Sequence, residues 1–143
     1  KMLLLPRSFG VDPADEIAIA ASSTKEILIL SKIAAYFALD HHADPKRVRI
    51  FGLITEELAG IFSAHGFADG NTHHVNIRLV AKNGELIISM RDDCKAFNLV
   101  EYDRMAHCNQ GKEEEPGLAI IMKMSKEIRY TATFGANNLI VKV

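Results

Sequence analysis

A chain of 143 residues, 48% apolar and 24% charged, has the composition of one globular domain with a proper core. A net charge of −1 at pH 7 supplies no basic face for general binding to DNA or RNA. The longest apolar runs, Ile27–Leu30 and Leu118–Met122, fall far short of a membrane span.

Two cysteines, Cys94 and Cys108, are too few for a disulfide framework and lack metal-site spacing, which points to reduced thiols in a cytoplasmic protein. Lys1–Leu5 is apolar, but Pro6, Arg7 and Asp12 soon interrupt it, so no signal-peptide pattern forms. The chain begins with Lys rather than Met, as a domain cut from something longer would. Residues 1–13 are expected to be a linker or an edge strand, and 1–143 a single domain.

The first regular element is a short strand over Ile17–Ala21. Ser23-Thr24-Lys25-Glu26 follows as a capping box, opening a helix to about Leu39 with Ile27, Leu30, Ala34 and Phe37 on one face. Asp44-Pro45 marks a second helix start, Asp as N-cap and Pro at the first helical position; this helix should reach Ala64 and stop at Gly66. A hairpin comes next. Val75, Ile77, Leu79 and Ala81 alternate with polar residues, Asn83-Gly84 makes a type I′ turn, and Leu86, Ile88 and Met90 continue the alternation. A two-residue turn there pairs Leu79 with Ile88 and Ile77 with Met90. Residues 98–116 read as a short helix and a mobile loop. Gly117 opens a third apolar helix, Leu118 to about Lys126. Ile128–Phe134 and Leu139–Val143 form a closing hairpin around Gly135-Ala136-Asn137-Asn138. This order predicts an α+β (α/β) two-layer sandwich: a mixed, mainly antiparallel sheet with helices on one face.

Acidic groups occupy positions where apolar ones belong. At 100° per residue, Val48, Phe51, Ile54, Leu58, Ile61, Phe62 and His65 form one stripe of the second helix, with Glu57 at its border and Glu56 facing solvent. By the period of two, Asp92 continues the Leu86-Ile88-Met90 face, which places a carboxylate at the end of the buried side of the sheet. Two readings stand. Either the strand ends at Arg91 and Asp92 caps a turn, or Asp92 is buried and needs a ligand, a cation or several donors. The pairs His41-His42 and His73-His74 chelate poorly by themselves, since adjacent side chains on a strand point to opposite faces; a solvated or turn role is expected for them. His107 and Cys108 suggest nothing specific.

Glu56-Glu57-Leu58-Ala59-Gly60-Ile61-Phe62-Ser63-Ala64-His65-Gly66 resembles the N box of the GHKL (Bergerat-fold) ATPase superfamily, a helix carrying Glu, then Asn four residues on, then often His. Met90-Arg91-Asp92-Asp93-Cys94-Lys95-Ala96-Phe97 resembles its G1 box, a strand ending in Asp-x-Gly-x-Gly. Glu115-Pro116-Gly117-Leu118 stands where the second glycine box opens a helix. Met122-Lys123 through Tyr130 to Leu139 is similar to the closing helix and hairpin of anti-sigma-factor serine kinases. The likeness covers roughly residues 14–143, in order.

The resemblance implies a Bergerat fold and an ATP or ADP site. Asp92 would accept from the adenine amino group, a task that suits an acceptor-only carboxylate. Cys94, Ala96 and Phe97 would line the base, and Glu57 would be the general base toward a partner hydroxyl. Gly117, Leu118 and the amides after them would face the phosphates, with His65 beside them. Three departures weaken the match to an active kinase. The N-box Asn that supplies an oxygen to Mg²⁺ is Ile61, which has no lone pair and fits the apolar stripe. Cys94 and Ala96 replace the G1 glycines. Glu115, ending Glu113-Glu114-Glu115, replaces the first glycine of the second box; the three carboxylates suit a helix N-terminus better than a triphosphate.

The expectation is therefore an adenine-nucleotide-binding regulatory domain whose Mg²⁺ contact and kinase activity are in question. The resemblance implies a sigma factor or antagonist protein as partner and leaves room for a homodimer. The competing readings are a catalytically inactive partner-switching module and, less well matched, a histidine-kinase catalytic domain, since no upstream dimerisation helix is present.

Overall fold

A five-stranded sheet, its order β1-β2-β3-β5-β4, carries a layer of helices on one face in a computed structural model that describes residues 10–108 and 115–143. The strands are β1 (Glu16–Ala21), β2 (Val75–Lys82), β3 (Glu85–Asp92), β4 (Glu127–Thr133) and β5 (Ala136–Lys142). Every neighbouring pair is antiparallel, so the expected mixed sheet is corrected to an antiparallel one. The helices are α1 (Thr24–Leu28), α2 (Leu30–Asp40), α3 (Pro45–Ile61), α4 (Leu99–His107) and α5 (Pro116–Met124). Among the described residues, no helix is long and apolar enough to cross a membrane.

The helix starts follow the capping chemistry. Ser23 Oγ accepts the Glu26 amide at 3.4 Å, while the Glu26 carboxylate reaches back to the amide of Ser22 at 2.7 Å, one residue earlier than an ordinary capping box. The expected single helix to Leu39 is two helices. At Ile29 a ψ of −17° tightens the turn, yet Ile27, Leu30, Ala34 and Phe37 all stay inward. Asp44 Oδ1 accepts from the amides of Lys46 and Arg47, and Pro45 opens α3 as expected.

The helix expected to run regularly to Ala64 is α-helical only to Ile61. Phe62–Gly66 forms a π-helical turn, closed by the Phe67 amide on Phe62 O at 3.3 Å. A Cβ on Gly66 would sit 3.2 Å from Cys94 Sγ and 3.3 Å from the Phe62 ring, so glycine is what lets this turn lie against the exit of β3. The last helix starts at Pro116 rather than Gly117, and it ends at Met124, where Ser125 turns extended.

Asn83 and Gly84, with φ of 53° and 76°, make the type I′ turn, and Leu79 pairs with Ile88 and Ile77 with Met90. The closing hairpin turns earlier than expected. Phe134 and Gly135 take φ of 52° and 74°, Thr133 pairs with Ala136, and Asn137 and Asn138 belong to β5. One face of β2, β3 and β5 presents Ile77, Leu79, Ile88, Met90, Leu139 and Val141 to Leu30, Phe37, Phe51, Ile54, Leu58 and Ile121, and this is the core. Met122 and Ile128 pack at its margin, while Met124 is exposed.

Candidate functional site

The register of β3 fixes the centre of the site. Asp92 lies on the same face as Leu86, Ile88 and Met90, opposite Val75 on one side and Asn137 on the other. It is 5% exposed, so β3 carries its carboxylate inside rather than ending at Arg91. Asn137 donates Nδ2 to Asp92 Oδ1 at 2.7 Å and to the Cys94 carbonyl at 2.9 Å, and the Cys94 amide donates to the same Oδ1 at 3.0 Å. Tyr130 completes the network by donating its hydroxyl to Asn137 Oδ1 at 3.0 Å. Burial pushes the Asp92 carboxyl above the ordinary range, and the Asn137 and Cys94 bonds pull it part of the way back. Burial, then the charge of Asp92, push the Cys94 thiol up to about 12, so the free thiol is protonated at neutral pH.

Asp92 opens onto a narrow pocket with an open mouth. The π-helical turn supplies Phe62, His65 and Gly66; α3 supplies Ile61; the exit of β3 supplies Cys94, Lys95 and Phe97; Tyr130, Asn137 and Leu139 close the far side. The lining is mostly hydrocarbon with one buried carboxylate at its end, which suits a flat, largely apolar group bearing a hydrogen-bond donor.

Of the residues expected at a ligand site, Ile61, His65, Asp92, Cys94 and Phe97 share this pocket. Ile61 is 6% exposed and belongs to the core as well. His65 stacks on Phe97, with ring centroids 4.3 Å apart and 6° between the planes, and its Nε2 lies 2.7 Å from Glu115 Oε1. Glu115 is the N-cap of α5, yet its side chain caps no amide and serves His65 instead. Glu57 does not line the pocket. It is half-buried against the start of α5, where a Cβ on Gly117 would collide with its Oε2. Leu118 is buried in the core beneath that point, and Ala96 is exposed outside the pocket lining. Glu113 and Glu114 lie outside the described residues, as does most of the loop expected before α5.

Sequence reasoning passed over two side chains. Asn137 was assigned to a turn, because Gly135-Ala136-Asn137-Asn138 has turn composition; its parity with Leu139 and Val141 was the signal that it faces inward. His73, for which a solvated or turn role is expected, sits in the loop before β2 but is buried at 9% exposure, while His74 is exposed. Its Nε2 lies 2.8 and 2.9 Å from the two Asp69 oxygens. The Asn71 amide, with help from the Asn71 side chain and His73, holds the Asp69 carboxyl down to about 2. His41, by contrast, caps the end of α2, with Nδ1 2.8 Å from Phe37 O and Nε2 3.1 Å from Ala14 O.

No protein-family model and no curated protein matches the chain.

Proposed function

We propose that the chain is an adenine-nucleotide-binding regulatory domain of the GHKL type, with the base held against Asp92. One observation carries this reading: a buried carboxylate at the inner end of a central strand, held on Oδ1 by Asn137 and the Cys94 amide, at the end of an otherwise apolar pocket. The Cys94 thiol also bonds the Asp92 carboxylate, and the role proposed for that carboxylate is to accept an exocyclic amine. Guanine presents a carbonyl at the equivalent position and would set acceptor against acceptor.

The chemistry assigned here is binding rather than phosphoryl transfer. Ile61, where the family places its metal-binding Asn, offers only hydrocarbon, and no metal enters the proposed binding step. Glu57 packs on the start of α5, apart from the pocket that holds Asp92. A second reading, a catalytically inactive partner-switching module, is favoured by exposed apolar groups on α1–α2, where Leu28, Ile29, Tyr36 and Leu39 are each more than half exposed. A sigma factor or its antagonist is the partner class that the resemblance implies.

Thermal unfolding with ATP, ADP and GTP, each with and without Mg²⁺, tests the assignment. A ligand confined to the folded state adds about 2.7 kcal/mol of stability at a hundredfold excess over its Kd. ATP and ADP should both stabilise the chain, equally with or without Mg²⁺, and GTP should not. Indifference to all three nucleotides would overturn nucleotide binding and leave the partner-switching module. A shift that demands Mg²⁺ would overturn the metal-independent form.

A further inference from the structure

We propose that His73, Asp93 and Cys94 form a three-ligand site for a borderline divalent transition metal of the Zn²⁺ class, at the junction of the loop before β2 with the exit of β3. The antiparallel register explains how residues so far apart in the chain meet. Val75, which opens β2, pairs with Asp92, which closes β3, so the residues just outside that pair face each other. One ligand atom from each of His73, Asp93 and Cys94 lies within 4.8 Å of the other two.

Hydrogen bonding fixes which nitrogen is available. Both Asp69 oxygens sit at His73 Nε2, at 2.8 and 2.9 Å, so in the neutral ring that nitrogen carries the proton. Nδ1 then presents a lone pair to Asp93 Oδ1, 3.4 Å away. In the metal-free chain a proton on Nδ1 bridges that gap, since the bonds to Asp69 and then Asp93 raise the His73 imidazole, and a metal ion would take the place of that proton. A tetrahedral ion with bonds of about 2.1 Å holds N and O ligands about 3.4 Å apart, which is the separation found. Cys94 Sγ lies within 4.8 Å of both, so ligation draws the sulfur inward and releases its thiol proton.

The surroundings are already oriented. Asp69 is fixed by the Asn71 amide at 2.9 Å and side chain at 3.0 Å, and it stands behind His73 as carboxylates stand behind metal-bound imidazoles. Asp93 Oδ1 accepts the His74 amide at 2.9 Å, which aims that carboxylate at His73. One nitrogen, one carboxylate oxygen and one sulfur form a donor set for Zn²⁺ or Co²⁺ rather than Mg²⁺ or Ca²⁺. Asp93 is exposed, so the ion has a path in and the fourth position is open to water. The site shares Cys94 with the wall of the nucleotide pocket, but a metal titration without nucleotide reads it separately from the proposed nucleotide binding.

The test titrates Zn²⁺ into the metal-free chain against a chromophoric chelator, and repeats the titration with Co²⁺ as an optical probe. One ion per chain is expected, with Co²⁺ showing intense tetrahedral d–d bands and a thiolate charge-transfer band. Cys94→Ser should lose the charge-transfer band. Asp69→Asn should weaken binding 10- to 100-fold while leaving the band in place. Asp93→Asn, at an exposed position, serves if Cys94→Ser does not fold, and should weaken binding at least tenfold. Sub-stoichiometric binding, a weak octahedral spectrum, or an affinity indifferent to both Asp93→Asn and Asp69→Asn would overturn the site.

Discussion

Asp92 concentrates the tension between stability and use in one side chain. Its burial opposes the charge, and the donors from Asn137 and the Cys94 amide offset that cost only in part. Asparagine at 92 would keep an Oδ1 for both donors and would shed the buried charge. Asp92→Asn is therefore expected to be at least as stable as the parent at pH 7 in urea unfolding, and to lose adenine-nucleotide binding by tenfold or more. A variant that unfolds more easily would show that the charge itself holds the strand end. Asp92 was legible in the sequence because strand parity put a carboxylate on an apolar face. Asn137 was not, since its placement depends on a two-residue turn at Phe134-Gly135, centred two residues earlier than composition suggests. The same misplacement hid the Tyr130–Asn137–Asp92 network.

Elements show the same division between what local rules reach and what contacts decide. The two N-caps, the Asn83-Gly84 turn and the register of β2 with β3 follow from side-chain chemistry at the positions themselves, and all were readable. The π-helical turn was not, because Phe62 and His65 continue the apolar stripe whether the turn is α or π; the fit of Gly66 against Cys94 decides it. Two other left-handed residues, His42 and Phe134, were equally hidden. His42 takes φ of 57° at the end of α2, where the His42 amide bonds Leu39 O and the Ala43 amide bonds Ala38 O, a Schellman closure that normally uses glycine. The left-handed penalty of about 1–2 kcal/mol exceeds the added chain entropy of glycine, about 0.5–1 kcal/mol. His42→Gly should then stabilise the chain by about 0.5–1 kcal/mol in equilibrium unfolding, and a loss of stability would show that the imidazole makes up the difference.

The edge of the sheet carries a pH-dependent pair. Lys142 on β5 donates to Glu127 on β4 at 2.9 Å, and this contact lowers the Glu127 carboxyl while raising the Lys142 ammonium. A lowered acid contributes stability above its unfolded value of 4.5 and loses it as pH falls through the folded one. A raised base contributes below its unfolded value of 10.5 and loses it as pH rises through the folded one. The destabilisation caused by Lys142→Met should be small, constant between those two values, and absent in acid. Both groups are solvated, so added salt should shrink it further. Urea midpoints of parent and variant across pH measure this directly, and a difference that persists once Glu127 is fully protonated would assign it to lost packing of the lysine stem.

At the scale of the whole molecule, three elements meet at one corner: the end of α3, the exit of β3 and the start of α5. His65 ties all three, through its own turn, its stacking on Phe97 and its bond to Glu115. No single segment announces this, for His65, Phe97 and Glu115 are each unremarkable where they stand in the chain. In the proposed nucleotide site that corner is where phosphates would lie, with the base at Asp92 and the α5 amides beyond. Glu115 would then oppose the ligand twice, as a negative charge near the phosphates and as the partner that occupies His65. Two charges about 4 Å apart in a wet site repel by about 1 kcal/mol, roughly a fivefold change in Kd. Glu115→Ala is therefore expected to tighten ATP about fivefold by calorimetry and to leave adenosine, which has no phosphate, nearly unchanged. Equal gains for ATP and adenosine would mean that Glu115 controls access to the base pocket instead. Weaker binding of both would place the His65–Glu115 contact among the supports of the pocket wall, with the phosphates directed elsewhere.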